Sequence, residues 1–155
     1  ILLDDIELEA GQTSLGCTAF WLDAGFGPLY PFGYGLSYTT FACSEVHLDK
    51  ALFAPGETLT ASVTVTNTGS RTGTETVQLY IRDLYGSVTR PVRELKGFKK
   101  VTLAPGESAE VSFAITEEML RFWDIHMNYT SEPGTFELFI GFDSTASNGA
   151  SFTLR

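Results

Sequence analysis

Cysteine, positive charge and long apolar runs are all scarce in this sequence, and each scarcity excludes something. Cys17 and Cys43 are the only cysteines and stand far apart. Two cysteines make neither a disulfide framework nor a metal motif, and free thiols are expected in preference to a bridge. Lys and Arg total 10 against 19 Asp and Glu, a formal net charge of −9. Such a surface repels phosphate, so neither nucleic acid nor an anionic membrane is expected as a partner. No stretch approaches the ~18 continuous apolar residues of a membrane span. The strongest run, residues 136–142, is broken by Glu137 and Gly141. The start, Ile1-Leu2-Leu3-Asp4-Asp5, has no initiator Met and no basic n-region of a secretory signal. The chain reads as a piece of a longer polypeptide.

What is present is the raw material of one compact domain. Hydrophobic residues make up 43% of the 155 residues and aromatics 13%, enough for a core and too much for disorder. Residues 1–27 read as a connecting segment from a preceding domain. From Phe20 to Tyr38 aromatics interleave with glycines: Phe20, Trp21, Phe26, Tyr30, Phe32, Tyr34 and Tyr38 with Gly25, Gly27, Gly33 and Gly35. No helical or strand period fits, so this stretch reads as an extended irregular segment lying on another surface. Within it, glycines would let the backbone turn closely while Phe32, Tyr34 and Tyr38 anchor it.

After Phe41 the pattern becomes alternation. Leu59, Ala61, Val63 and Val65 share one face and Thr60, Ser62, Thr64 and Thr66 the other. Val77, Leu79 and Ile81 oppose Gln78, Tyr80 and Arg82; Ala109, Val111, Phe113 and Ile115 oppose Ser108, Glu110 and Ser112; Phe136, Leu138 and Ile140 oppose Glu137 and Phe139. Period two with β-branched residues predicts half-buried strands. Weaker strands are expected over 46–49, 94–101 and 151–154, giving about seven in an all-β sandwich. Ala54-Pro55-Gly56-Glu57 and Ala104-Pro105-Gly106-Glu107 read as type II turns, and Glu132-Pro133-Gly134 as a repeat of the device. One helical turn is expected at 116–120, with Thr116 as its cap.

Several blocks together resemble the C-terminal domain of family 3 glycoside hydrolases, chiefly β-glucosidases. They are Pro28-Leu29-Tyr30-Pro31-Phe32-Gly33-Tyr34-Gly35-Leu36-Ser37-Tyr38-Thr39-Thr40-Phe41; Val65-Thr66-Asn67-Thr68-Gly69 with Gly73 and Val77-Gln78-Leu79-Tyr80; Arg90-Pro91 with Glu94-Leu95-Lys96-Gly97-Phe98-Lys99-Lys100-Val101; and Phe122-Trp123-Asp124 with Glu132-Pro133-Gly134 and Ile140-Gly141. The resemblance runs from residue 28 to the end. It implies an immunoglobulin/fibronectin type III-like two-sheet sandwich over 28–155 and a retaining hydrolase as parent. Its partners would be the parent's catalytic barrel and α/β-sandwich domains, with β-linked glucosides as the parent's substrate. A retaining mechanism needs two carboxyl groups ~5 Å apart. The family's nucleophile Asp lies in a Ser-Asp-Trp type motif absent here, and its acid/base Glu belongs to another domain. No catalytic residue is therefore expected in this chain.

Among candidate sites, Pro31, Phe32, Tyr34, Leu36 and Tyr38 are expected to form the seam with the catalytic domains. Trp21 and Asp23, an aromatic beside a carboxylate, would border an outer sugar subsite; an interdomain contact is the blander reading. The family context assigns Trp123 to core or corner packing. Asp4-Asp5 and Glu117-Glu118 are adjacent acids that cannot face each other across a substrate and read as solvated charge. Asp124-x-His126 lacks the further ligands of a metal site, and nothing requires calcium at Asp83, Asp124 or Asp143. Gly33-Tyr34-Gly35 has Tyr38 where a nucleotide motif needs its third glycine. No metal and no cofactor are expected. Asn128-Tyr129-Thr130 is a glycosylation sequon. Bracing of the parent is the leading function, with a carbohydrate-binding module or an oligomerisation domain as alternatives. A periplasmic or secreted parent is favoured over a cytoplasmic one.

Overall fold

The computed structural model describes residues 28–155. Trp21, Asp23, Cys17, Asp4 and Asp5 lie outside the described residues. The chain divides into two units, Ile1–Tyr30 and Pro31–Arg155, and the sandwich belongs to the second. Its strands are β1 (Phe41–Cys43), β2 (His47–Leu48), β3 (Leu52–Phe53), β4 (Thr58–Asn67), β5 (Gly73–Asp83), β6 (Glu94–Leu103), β7 (Ser108–Thr116), β8 (Phe122–Trp123), β9 (Tyr129–Thr130), β10 (Gly134–Gly141) and β11 (Gly149–Leu154).

One sheet is centred on β4. Thr66 pairs with Ser108 of β7 on one side and Ala42 of β1 on the other, and β2 continues the β1 edge at Ser62 and Ala61. The second sheet runs β3-β11-β10-β5-β6. Its ladders are antiparallel except that of β3 with β11. Every expected strand is present. Those the alternation did not indicate, β1, β3 and the hairpin β8–β9, have two or three residues each, too few to show a period.

The two inner faces meet in one core. Leu59, Val65, Val77, Leu79, Ile115, Leu138 and Ile140 have no solvent exposure, and the Phe53, Phe136 and Phe152 rings close one end. Truncating any of these aliphatics to Ala would cost about 2–5 kcal/mol. Gly56 and Gly106 take positive φ, 88° and 77°, as type II turns require. In each turn a glutamate closes the loop: Ala54 N–H donates to Glu57 Oε2 and Ala104 N–H to Glu107 Oε2. The Glu132-Pro133-Gly134 expectation is corrected. Gly134 lacks positive φ and opens β10, paired with Leu154, because the ladder claims its backbone. Thr116 makes no side-chain cap on the 3-10 turn Glu117–Leu120. Glu117 holds that turn instead: Arg121 donates to its carboxylate from Nε and Nη2, and Ser131 Oγ donates as well. These bonds hold the Glu117 carboxyl below its ordinary pKa, the Arg121 bond contributing most.

Candidate interdomain surface

The strip 31–38 is held through its backbone. Tyr34 N–H donates to the Pro31 carbonyl, closing a turn in which Gly33 takes φ 80°. A side chain at Gly33 would be strained by that angle and would also overlap Gln78 Oε1. Beneath the strip, Gln78 Nε2 donates to the Gly33 carbonyl at 3.0 Å and to the Phe142 carbonyl at 2.6 Å. Its Oε1 accepts from the Tyr80 hydroxyl. The Phe32 carbonyl accepts from Ser144 N–H at 2.9 Å. Arg93 fixes the segment that supplies Ser144. Its Nη1 donates to the Ser144 and Ala146 carbonyls, and its guanidinium lies 4.1 Å from the Phe139 ring centroid.

Alternation along β5 placed Gln78 and Tyr80 outward, toward water. They do point away from the core, but they are 5% and 2% exposed because strip and loop cover them. Burial raises the Tyr80 pKa, and the Asp143 carboxylate raises it further.

The far end of the strip is tied to the β4–β5 turn. Thr39 Oγ1 donates to Asn67 Oδ1 at 2.8 Å, and Thr68 N–H donates to the Thr40 carbonyl at 2.8 Å. Asn67 has no exposed surface, and its side chain uses its full capacity. Oδ1 also accepts from Gly69 N–H, while Nδ2 donates to the Arg71 and Leu103 carbonyls at 2.7 and 2.9 Å.

Held by its backbone at both ends, the strip turns Phe32, Leu36 and Tyr38 away from the sandwich. Phe32 is 68% exposed, Leu36 89% and Tyr38 93%; Tyr34 is half-exposed and Pro31 partly covered. The expectation that aromatic rings anchor the segment is corrected for Phe32 and Tyr38, which are largely exposed; Gln78, Asn67 and Ser144 hold it. Sequence reasoning missed Gln78, Asn67 and Arg93. Asn67 registered only as a turn residue and Gln78 only as an outward polar one.

Trp123 corrects the core alternative of the core-or-corner expectation. It does not pack in the core; it stands 58% exposed on β8, against Tyr129. Phe122, under the Arg90 guanidinium, takes the buried position instead.

Asp83 is the described acid whose carboxyl burial pushes up, with a nearby Arg90 pulling it back. It lies behind Arg90 and Glu94 beside a cavity of only about 10 Å³, too small for more than one water. Arg90 Nε is buried there without a hydrogen-bond partner. Among the described residues no group of three or more His, Cys, Asp or Glu is arranged to hold a metal. Cys43 is a free thiol.

Comparison with known proteins gives the arrangement a context. The fibronectin type III-like domain family matches residues 75–144. The periplasmic β-glucosidase of Salmonella typhimurium is 51% identical over 137 residues, 88% of this chain and 18% of that protein. A putative β-xylosidase of Formosa agariphila is 46% identical over 129 residues, 83% of this chain and 17% of that protein. A solved β-glucosidase of Erythrobacter marinus superposes with a TM-score of 0.81 at 39% identity, covering 87% of this chain and 18% of that one. The chain thus spans less than a fifth of each of these three relatives. Residues 75–144 belong to the fibronectin type III-like domain family, and the chain matches a small part of β-glucosidases and β-xylosidases.

Proposed function

We propose that this chain braces the catalytic domains of a family 3 β-glucosidase and seats on them through Pro31, Phe32, Tyr34, Leu36 and Tyr38. The observation that carries the reading is the strip's construction. Its backbone is hydrogen-bonded at Gly33 to Gln78 of β5 and at Phe32 to Ser144 of the β10–β11 loop, while Phe32, Leu36 and Tyr38 face outward. A contiguous apolar surface on an ordered scaffold is the mark of an interaction site. The chemistry lies elsewhere in the parent. Of the described acids, Glu117 is bonded to Arg121, Glu94 pairs with Arg90 and Lys96, and Asp83 borders a cavity no sugar enters. The Salmonella relative's name supports a periplasmic or secreted parent. Trp21 and Asp23 enter from the sequence as a border of an outer sugar subsite.

The test is made in the complete enzyme. Leu36→Ser with Tyr38→Ser lowers its melting temperature and leaves kcat on an aryl β-glucoside unchanged. A lowered kcat at unchanged melting temperature would overturn the reading, as would turnover of the same glucoside by this chain alone.

A further inference from the structure

The hairpin β8–β9 presents apolar side chains to solvent on a hydrogen-bonded turn. Phe122 pairs with Thr130 and Trp123 with Tyr129, and successive pairs face opposite ways. Phe122 is buried under the Arg90 guanidinium, 4.3 Å from its ring centroid. Trp123 and Tyr129 face solvent, their rings 5.3 Å apart and inclined by 42°. Asp124 holds the turn between them. Its Oδ1 accepts from the N–H groups of His126 and Asn128 at 2.8 Å each, and its Oδ2 accepts from Asn128 Nδ2 at 3.1 Å. Met127 N–H donates to the Asp124 carbonyl. At the tip of this braced turn Ile125 is 75% exposed and Met127 73%. Met127 also sits at φ 63°, a region that disfavours every residue but glycine and, to a lesser degree, Asn or Asp. A three-residue hairpin loop places one residue in this left-handed region, usually glycine; here a bulky apolar side chain takes the position and projects into solvent, an outlier that motivates a functional reading.

Three occupants are conceivable, and the geometry favours one. A sugar would stack on coplanar or single open rings beside free polar groups. Here the rings are inclined, and Asp124 and Asn128 are consumed by the turn. A second, separate copy would need about 20–30 residues a side for a stable interface, far more than one hairpin provides. A contact this small holds a partner that is already tethered, because the tether sets a high effective concentration. The relatives carry such a partner, since this chain accounts for only 18% of the Salmonella enzyme. Hairpin and strip also draw support from one connection. Arg90, above Phe122, and Arg93, which fixes the loop bonded to Phe32, lie on the same β5–β6 connection.

We infer that the hairpin 122–130 is a second intramolecular docking element, which seats Trp123, Ile125 and Met127 on the remainder of the parent polypeptide. The inference rests on the bracing reading above. The test compares variants of the complete enzyme. Met127→Gly relieves the backbone, so an undocked hairpin would leave the melting temperature unchanged or raised. A docked one lowers it, and Ile125→Ser, at an exposed tip, lowers it too. Peroxide oxidation of Met127 in the complete enzyme is expected to be slower than in a peptide of residues 122–130. An unchanged or raised melting temperature in both variants, with oxidation at the peptide's rate, overturns the inference. If Leu36→Ser with Tyr38→Ser still lowers it, the hairpin inference alone has failed; if that pair is silent as well, the bracing reading has failed with it. Slowing of Met127 oxidation only on addition of soluble β-glucan would overturn the inference in favour of a sugar site.

Discussion

On the outer face of the β4 sheet, Thr64 stands open to water, and Thr66 and Ser108 share a hydrogen bond between hydroxyls at 2.7 Å. On the outer face of the other sheet, Gln78 and Tyr80 occupy equivalent outward positions on β5 and are nearly inaccessible. Both faces begin from the same alternation, apolar in and polar out. The difference is one of reach. A hydroxyl satisfies itself with a neighbour or with water and leaves the face bare. The longer Gln78 amide reaches two backbone carbonyls of segments outside the sheet, so the face acquires a third layer. That layer is the platform on which the apolar strip is mounted. A sheet face becomes a mounting surface when its outward polar groups can satisfy carbonyls that water would otherwise solvate.

The comparison is broken most severely at Asn67, which joins the strip to both sheets. Asn67→Ala orphans the carbonyls of Arg71 and Leu103 and removes the acceptor for Thr39 and Gly69. A buried polar group left unmatched costs about 1–3 kcal/mol, and with several affected the loss is expected to be about 3 kcal/mol in urea unfolding. A loss below about 1 kcal/mol would mean that water replaces the amide and that the strip is not tied to the sheets there.

Next in size is Gln78→Leu, which strips the covered face of its amide and leaves the Gly33 carbonyl, the Phe142 carbonyl and the Tyr80 hydroxyl without it. About 2 kcal/mol is expected, together with faster amide exchange over the strip and unchanged exchange in β4 and β7. The same face has an alkaline limit. The folded-state pKa of Tyr80 lies above its unfolded value, burial being the first cause. The associated stability is fully present below about pH 10 and is lost as pH rises through the elevated folded pKa. Tyrosinate absorbance should therefore appear for Tyr80 only with opening of the strip. Titration of Tyr80 at its ordinary pKa with the strip still protected would contradict this.

How much of this was legible in the sequence follows from the range of the forces involved. The inner faces were, because burial of Val77, Leu79, Ile81 and their partners imprints a period of two over a whole strand. The two Pro-Gly turns were too, because positive φ at Gly56 and Gly106 is a local requirement. The third layer was not. Gln78 meets Gly33 across 45 residues and Phe142 across 64, and nothing in a strand's own pattern distinguishes a glutamine that reaches a carbonyl from one that reaches water. Trp123 failed for a related reason. A two-residue strand has no period, so whether Phe122 or Trp123 turns inward is decided by the packing of Phe122 under Arg90. The apolar strip itself was legible as a surface, from its aromatic and glycine spacing, but not the means by which it is held.

Arg93 sharpens the contrast at a smaller scale, because it acts on the covered face from its rim. Arg93→Lys keeps the charge but loses the planar fork that donates to two carbonyls while stacking on Phe139. About 1 kcal/mol is expected in urea unfolding, with increased exchange at Ser144. An unaffected Ser144 amide would show that the loop holds itself through Asp143, whose carboxylate accepts from the N–H of Thr145.

The smallest effect belongs to the bare face, and its smallness is what the comparison requires. Thr64→Ala removes an exposed side chain that covers nothing, and the backbone pairing of Thr64 with Glu110 does not depend on it. The change should stay within about 0.5 kcal/mol in urea unfolding, tending slightly unfavourable because a β-branched residue fits the pleated surface better than alanine. Strip exchange should not respond, since the exposed Thr64 side chain covers neither Gln78 nor Asn67. If Thr64→Ala loosened the strip as Gln78→Leu does, the two faces would be coupled through the core. The strip would then be held by the sandwich as a whole, and the packing beneath Gln78, rather than its amide, would be the support.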